Sequence, residues 1–70
     1  MAVNHVELRV EGMSCQHCVD SIVKGLGNLN GVIGVTVDLE GKQVTVDFNE
    51  GMITLQAIKD EIEELGYEVV

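Results

Sequence analysis

The sequence contains no proline and no tryptophan, and Phe48 and Tyr67 are its only aromatic residues. The core must therefore be packed mainly from Val, Ile, Leu and Met. The same scarcity argues against a binder of single-stranded nucleic acid, because such proteins stack bases on aromatic side chains. It also argues against a membrane protein, because membrane proteins place aromatic residues at the lipid interface.

Basic residues are scarce as well: four Lys and Arg stand against twelve Asp and Glu, for a formal net charge of -8. Such a charge repels phosphate backbones and anionic membrane surfaces. No segment approaches the ~20 apolar residues of a membrane-spanning helix, and the N-terminal residues lack the apolar region of a secretory signal. We therefore expect no nucleic acid and no membrane insertion, and favour a protein or a cation as partner.

Cysteine is limited to Cys15 and Cys18. Two cysteines this close in sequence cannot form the disulfide framework of a small secreted domain. The cysteine content therefore predicts a reducing, cytoplasmic environment.

A chain of 70 residues is expected to fold as a single domain, residues 1–70, with little room for a deep catalytic cleft. The sequence shows no nucleophile–base pair, carboxylate dyad or phosphate-binding glycine loop, so we expect a binding module and not an enzyme.

Alternating polar and apolar residues predict four strands. The first covers residues 6–10, residues 35–39 and 44–48 form an antiparallel hairpin, and a short last strand covers residues 67–70. A strand, helix, strand, strand, helix, strand order matches the α+β, ferredoxin-like βαββαβ fold, in which two helices cover one face of a four-stranded antiparallel sheet.

Helical spacing predicts the two helices. The first is expected to have Ser14 as its N-cap and to end at Gly25 and Gly27, and the second to begin after Thr54 and stop at Gly66. The apolar face of the first helix is predicted to comprise Val19, Ile22, Val23 and Leu26. The apolar stripe of the second comprises Leu55, Ile58, Ile62 and Leu65.

Cys15 and Cys18 then stand at the start of the first helix, at positions i and i+3. Side chains at this spacing lie on the same side of a helix, so both sulfurs can converge on one ion. The unpaired N–H groups and the positive end of the helix dipole favour thiolate over thiol at this position. Two thiolates suit a soft monovalent ion, and Cu(I) is the physiological candidate.

Other uses of a Cys-x-x-Cys pair require partners that this chain lacks. A structural zinc site needs four Cys or His ligands, and an iron–sulfur cluster needs four cysteines. Covalent haem attachment requires His after the second cysteine, where Val19 stands. Thiol–disulfide exchange stays open as an alternative, although the aromatic residue and cis-proline usual at thioredoxin-like sites are missing.

The run Gly-Met-Ser-Cys-Gln-His-Cys at residues 12–18 resembles the signature of heavy-metal-associated domains, and the similarity to that family covers essentially the whole chain. The resemblance implies a copper chaperone that binds Cu(I) through Cys15 and Cys18. It further implies delivery to the N-terminal metal-binding domains of a P-type copper-transporting ATPase, and association as a metal-bridged homodimer. One alternative within the family is a metal-binding domain cut from a longer copper ATPase, but the start at Met1 and the complete pattern of four strands favour an independent protein. Selectivity for zinc, cadmium or mercury is the other alternative.

Four further residues are candidates for auxiliary roles. Met13 is expected in the core, because a large apolar side chain beside a strand end usually packs inward, although thioethers also suit Cu(I). His17 is expected to face solvent, with metal ligation across a dimer as its functional alternative. Tyr67, as the resemblance implies, shields or hydrogen bonds a cysteine, or else packs in the last strand. Ser14 is neutral where zinc-type relatives often carry an acidic residue.

Overall fold

The computed structural model describes residues 3–70. Its elements are β1 (Val3–Glu11), α1 (Gln16–Gly27), β2 (Val32–Asp38), β3 (Gln43–Asn49), α2 (Leu55–Glu64) and β4 (Glu68–Val69). The four strands form one antiparallel sheet in the order β2-β3-β1-β4. The predicted βαββαβ fold is confirmed. Met1, on which the expectation of an independent start rests, lies outside the described residues.

The core lies between one face of the sheet and the two helices. Every second side chain of β1 and β3 points toward the helices, and each helix contributes two side chains to the buried core. The buried apolar residues form one cluster: Leu8, Val10, Met13, Ile22, Leu26, Val44, Val46, Phe48, Ile58 and Ile62. Aliphatic side chains and Met thus dominate the core, as the composition predicts.

The second helix begins and ends where the sequence predicts. Thr54 is its N-cap, and the Thr54 Oγ1 accepts a hydrogen bond from the Ala57 N–H at 3.1 Å. Gly66 follows the helix with φ +100°, a left-handed conformation that glycine adopts without a Cβ penalty. The Tyr67 N–H then donates to the Ile62 carbonyl at 3.2 Å and directs the chain into β4.

The predicted start of the first helix is wrong by one residue. Cys15, and not Ser14, is the N-cap; its backbone is extended, with φ -159° and ψ 172°, and its side chain makes no capping hydrogen bond. Burial of Met13 keeps the chain extended past Ser14, so the helix cannot begin there. The position of a cap-type residue in the sequence is overridden by the packing of its neighbour.

The predicted end and apolar face of α1 also need correction. Gly25 lies inside the helix, which ends at Gly27, and a Cβ at Gly25 would stand 2.7 Å from Leu65 Cδ1. Val23 is 37% exposed, because the contact with the sheet and α2 is made by Ile22 and Leu26. A four-residue apolar stripe is wider than the surface that α1 has to bury.

The strand β2 begins earlier than predicted, at Val32, and lies at the edge of the sheet. Its pairing with β3 shifts register between Val32 and Gly34, so Ile33 is bulged out and 63% exposed. A bulge breaks the two-residue alternation, which is why the pattern in the sequence becomes legible only from Val35.

The topology sends the segment between β1 and α1 to one end of the molecule. β1 is a central strand, and its C-terminal end leads through residues 12–15 into α1. The loop therefore lies beyond the end of an inner strand and not along an edge strand. Across residues 3–70, the structure contains no helix with the length and apolar character needed to traverse a bilayer.

We expect Gly31→Ala to destabilise the fold by about 1–3 kcal/mol. Gly31 has φ +102°, and an added Cβ would lie 2.9 Å from Met52 Cβ and 2.8 Å from Ile53 Cγ2. Gly27→Ala is the matched control, since no atom lies within 4 Å of its added Cβ. Urea unfolding of both variants measures the difference, and equal midpoints would contradict this view of the turn.

Candidate metal centre

The loop that carries the two cysteines is fixed by the residues before them. Gly12 turns the chain away from β1 with φ +99°, and a Cβ there would lie 3.5 Å from Tyr67 Cδ1. The next side chain, Met13, is only 8% exposed and belongs to the core. The loop is therefore attached to the core immediately before Ser14 and Cys15 turn toward solvent.

The first turn of α1 brings the two thiols together. The Cys15 carbonyl accepts the N–H of Cys18 at 3.0 Å and that of Val19 at 3.4 Å. Cys15 Sγ and Cys18 Sγ stand 3.7 Å apart. Both cysteines are free thiols, Cys15 exposed and Cys18 half-buried. An ion can reach the pair from solvent on the Cys15 side.

The pKa of the Cys18 thiol is lowered from its ordinary 9.0 to about 6. The largest cause is the Tyr67 hydroxyl, followed by the backbone N–H of Ser14 and, with smaller effects, the backbone and side chain of Cys15; together they outweigh desolvation. The side chains in close contact with Cys18 Sγ are Cys15 Sγ at 3.7 Å and Ser14 Oγ at 3.9 Å, and the Tyr67 hydroxyl acts on the sulfur from farther away. Cys18 is therefore mainly a thiolate at neutral pH.

The Tyr67 hydroxyl is affected in the complementary direction. Its pKa is raised, first by the interaction with the Cys18 sulfur and then by burial. A phenol with a raised pKa keeps its proton at neutral pH and remains a donor toward the sulfur. The half-buried ring of Tyr67 also packs against the core.

The structure distributes the other predicted residues differently. Ser14 lies beside Cys18 Sγ, whereas His17 is exposed on the outer side of α1. Met13 lies beneath the loop in the core. Within residues 3–70, no group of three or more His, Cys, Asp or Glu side chains is close enough together to hold a metal ion.

Two features around the site are not evident from the sequence. Ser21, on α1, interacts with the Tyr67 hydroxyl and lies one turn after Cys18; that spacing is the only signal of it in the sequence. An open groove also borders Gly12 and Tyr67, and three carboxylates line it, those of Glu11, Glu63 and Glu68. These carboxylates come from three different elements, so no local sequence pattern groups them.

The fold and the thiol pair define a metal-binding module. Residues 7–68 match the heavy-metal-associated domain, and the chain belongs to that family. Membership confirms the expectation of a non-enzymatic metal-binding protein. The chain is 44% identical over 62 residues to the copper chaperone CopZ of Staphylococcus haemolyticus, covering 89% of this chain and 91% of the relative.

Solved structures show the same fold. The putative copper-ion-binding protein from Bacillus anthracis superimposes with a TM-score of 0.95 at 42% identity, covering 99% of this chain and 97% of that one. The water-soluble region of the P-type ATPase CopA from Bacillus subtilis gives a TM-score of 0.92 at 35% identity, covering 97% of this chain and 45% of that one.

We expect Tyr67→Phe to raise the pKa of Cys18 above its native value of about 6. The change removes the hydroxyl that most stabilises the thiolate and keeps the ring. Less thiolate is then present at pH 7, so iodoacetamide should alkylate Cys18 more slowly at neutral pH. Mass spectrometry of samples alkylated across a range of pH measures this rate.

Ser14→Ala is the matched control, because it removes the Oγ at 3.9 Å from Cys18 Sγ but keeps the backbone N–H. The pH midpoint of Cys18 alkylation should shift less in Ser14→Ala than in Tyr67→Phe. An unchanged midpoint in Tyr67→Phe would show that the hydroxyl does not set the acidity of Cys18.

Proposed function

We propose that this chain is a copper chaperone that carries Cu(I) on Cys15 and Cys18 and passes it to the N-terminal metal-binding domains of a P-type copper-transporting ATPase. The observation that carries the proposal is the pair of free thiols, 3.7 Å apart at an accessible helix start. The copper chaperone relatives, which are about as long as this chain, support the same cargo.

The donor set favours Cu(I) over zinc. A structural zinc ion takes four ligands, whereas Cu(I) is a soft ion that thiolates bind well in small numbers. Cys18 is already largely deprotonated at neutral pH, so few protons have to leave this thiol when Cu(I) binds. The N-terminus of α1 stabilises the net negative charge of a bis-thiolate complex.

Binding requires a small opening of the pair. With the ~2.3 Å of a zinc–thiolate bond as a guide, linear coordination places the sulfurs ~4.6 Å apart. Their present separation is 3.7 Å. Cys15 is exposed and has no capping hydrogen bond. The side chain of Cys15 therefore moves outward, while Cys18 stays against Tyr67 and the helix.

The same asymmetry supports transfer. A thiolate of the acceptor approaches from the Cys15 side and bonds to the ion before a cysteine of this chain leaves. Cys15, the exposed ligand, departs first, and Cys18 follows once the acceptor's second ligand is bound. The soluble region of a copper ATPase has the same fold, so donor and acceptor can present matching loops. The identity to the chaperone relative, 44%, exceeds the 35% to that ATPase region, which supports the role of donor.

The chain works as one domain in the reducing cytoplasm, where thiols stay free. Two copies share one ion when no acceptor is present, with the exposed pairs facing each other. His17, next to Cys18 and turned to solvent, is the residue placed to contact that shared ion from the second copy.

We expect the native chain to withhold Cu(I) from a chromogenic chelator in an anaerobic titration with excess zinc present. Cys15→Ser and Cys18→Ser should each weaken binding by more than the ~100-fold that loss of an outer-shell group costs. His5→Gln is the control: His5 pairs with Asp47 on the open face of the sheet and is 61% exposed, so its loss should leave the affinity unchanged.

Serine variants that bind as well as the native chain would exclude the two cysteines as ligands. A native chain that fails to compete for Cu(I), yet reduces insulin disulfides, would instead establish the thiol–disulfide alternative.

Transfer is tested by mixing the copper-loaded chain with the isolated N-terminal soluble region of a copper ATPase and a dilute chelator. We expect copper to reach the acceptor without passing through the chelator, because ligand exchange keeps the ion bound throughout. Chromatographic separation and metal analysis give the distribution. Copper that appears on the chelator before it appears on the acceptor would show release into solution and contradict direct exchange.

A further inference from the structure

The end of the molecule opposite the thiols contains a reactive pair of residues that the metal site does not use. After the ~18 Å length of α1, the chain turns at residues 28–31 into β2. Asn30 there is followed directly by Gly31, and this is the only Asn-Gly step in the sequence. Glycine after asparagine leaves the next backbone nitrogen unshielded, since it has no side chain.

The turn leaves both reacting groups available. The Val32 N–H donates to the Leu29 carbonyl at 3.2 Å, and Gly31 has φ +102°, which together define a type II turn with Asn30 and Gly31 at its centre. Asn30 is exposed. No acceptor in residues 3–70 takes a hydrogen bond from the Gly31 N–H, so this nitrogen is not held back by an intramolecular bond.

We propose that Asn30 is a site of spontaneous deamidation, a modification in which the chain reacts with its own side chain. The Gly31 nitrogen loses its proton to solvent and attacks Asn30 Cγ; the new N–Cγ bond forms, the Cγ–Nδ2 bond breaks, and Nδ2 leaves as ammonia. Water then opens the five-membered succinimide at either carbonyl. The products are aspartate or isoaspartate at position 30, without any oxidation or reduction.

The other asparagines are protected by their surroundings. Asn28 lies in the same turn and is also exposed, but the Leu29 N–H that would attack it donates to the Leu26 carbonyl at 3.1 Å. Asn49 Oδ1 accepts the Gly51 N–H at 2.9 Å. Asn4 lies in β1, its Nδ2 donates to Glu50 at 3.1 Å, and the side chain of His5 shields the backbone nitrogen that would attack.

Isoaspartate at this position has a structural consequence. It adds a carbon to the main chain just before Gly31, whose carbonyl accepts the Asn49 N–H at 2.7 Å and so joins β2 to the end of β3. Gly31 has no spare space on the side of Met52 and Ile53. The isoaspartyl form should therefore melt at a lower temperature than the unmodified chain.

The test is incubation of the native full chain at 37 °C and neutral pH, with peptide mapping by mass spectrometry at intervals. We expect Asn30 to deamidate at least about tenfold faster than Asn28, a barrier difference of about 1.4 kcal/mol. Equal rates at the two positions would overturn the proposal. Anion-exchange chromatography resolves the product by its added negative charge.

Asn30→Gln is the matched variant, because it keeps an amide in the turn but requires a larger ring for attack. The acidic species should disappear from the aged Asn30→Gln sample. Persistence of the same species there would also overturn the proposal. An isoaspartyl fraction that melts with the unmodified chain would refute the effect on the β2–β3 junction.

Discussion

The burial of Met13 is the constraint on which the thiol pair depends. This side chain is 8% exposed and packs in the core directly before Ser14 and Cys15. With Gly12 turning the chain on one side and α1 beginning at Gln16 on the other, few conformations remain for the residues between. The sulfurs are thus placed by a hydrophobic contact beneath them.

The start of α1, where the two thiols lie, lacks a stabilising contact that α2 has. A helix usually gains about 1 kcal/mol from a Ser, Thr, Asp or Asn side chain at its N-cap, as α2 does from Thr54. At α1 the N-cap is Cys15 and its side chain makes no such bond. The pKa of Cys18 beside it is lowered first by the Tyr67 hydroxyl and then by the backbone N–H of Ser14.

Much of the fold and the centre of the site follow from local patterns in the sequence. Strand alternation, Thr54 before α2 and the spacing of Cys15 and Cys18 each depend on neighbouring residues, so they are legible without a structure. The misplaced cap at Ser14 and the exposed Val23 depend on what packs where in three dimensions. The interaction of Tyr67 with Cys18 joins residues that are far apart in the sequence. The sequence alone therefore leaves the role of Tyr67 undecided between contact with a cysteine and packing in the last strand.

The bulge at Ile33 has a consequence for crowded solutions. β2 is a seven-residue border strand whose outer backbone groups face no neighbouring strand of the sheet. Such a border invites strands from other molecules to add on, which is a route to aggregation. The register shift between Val32 and Gly34 interrupts the regular row of donors and acceptors at its beginning. This shortens the template that a colliding copy can extend, and so lowers the tendency to aggregate through this edge.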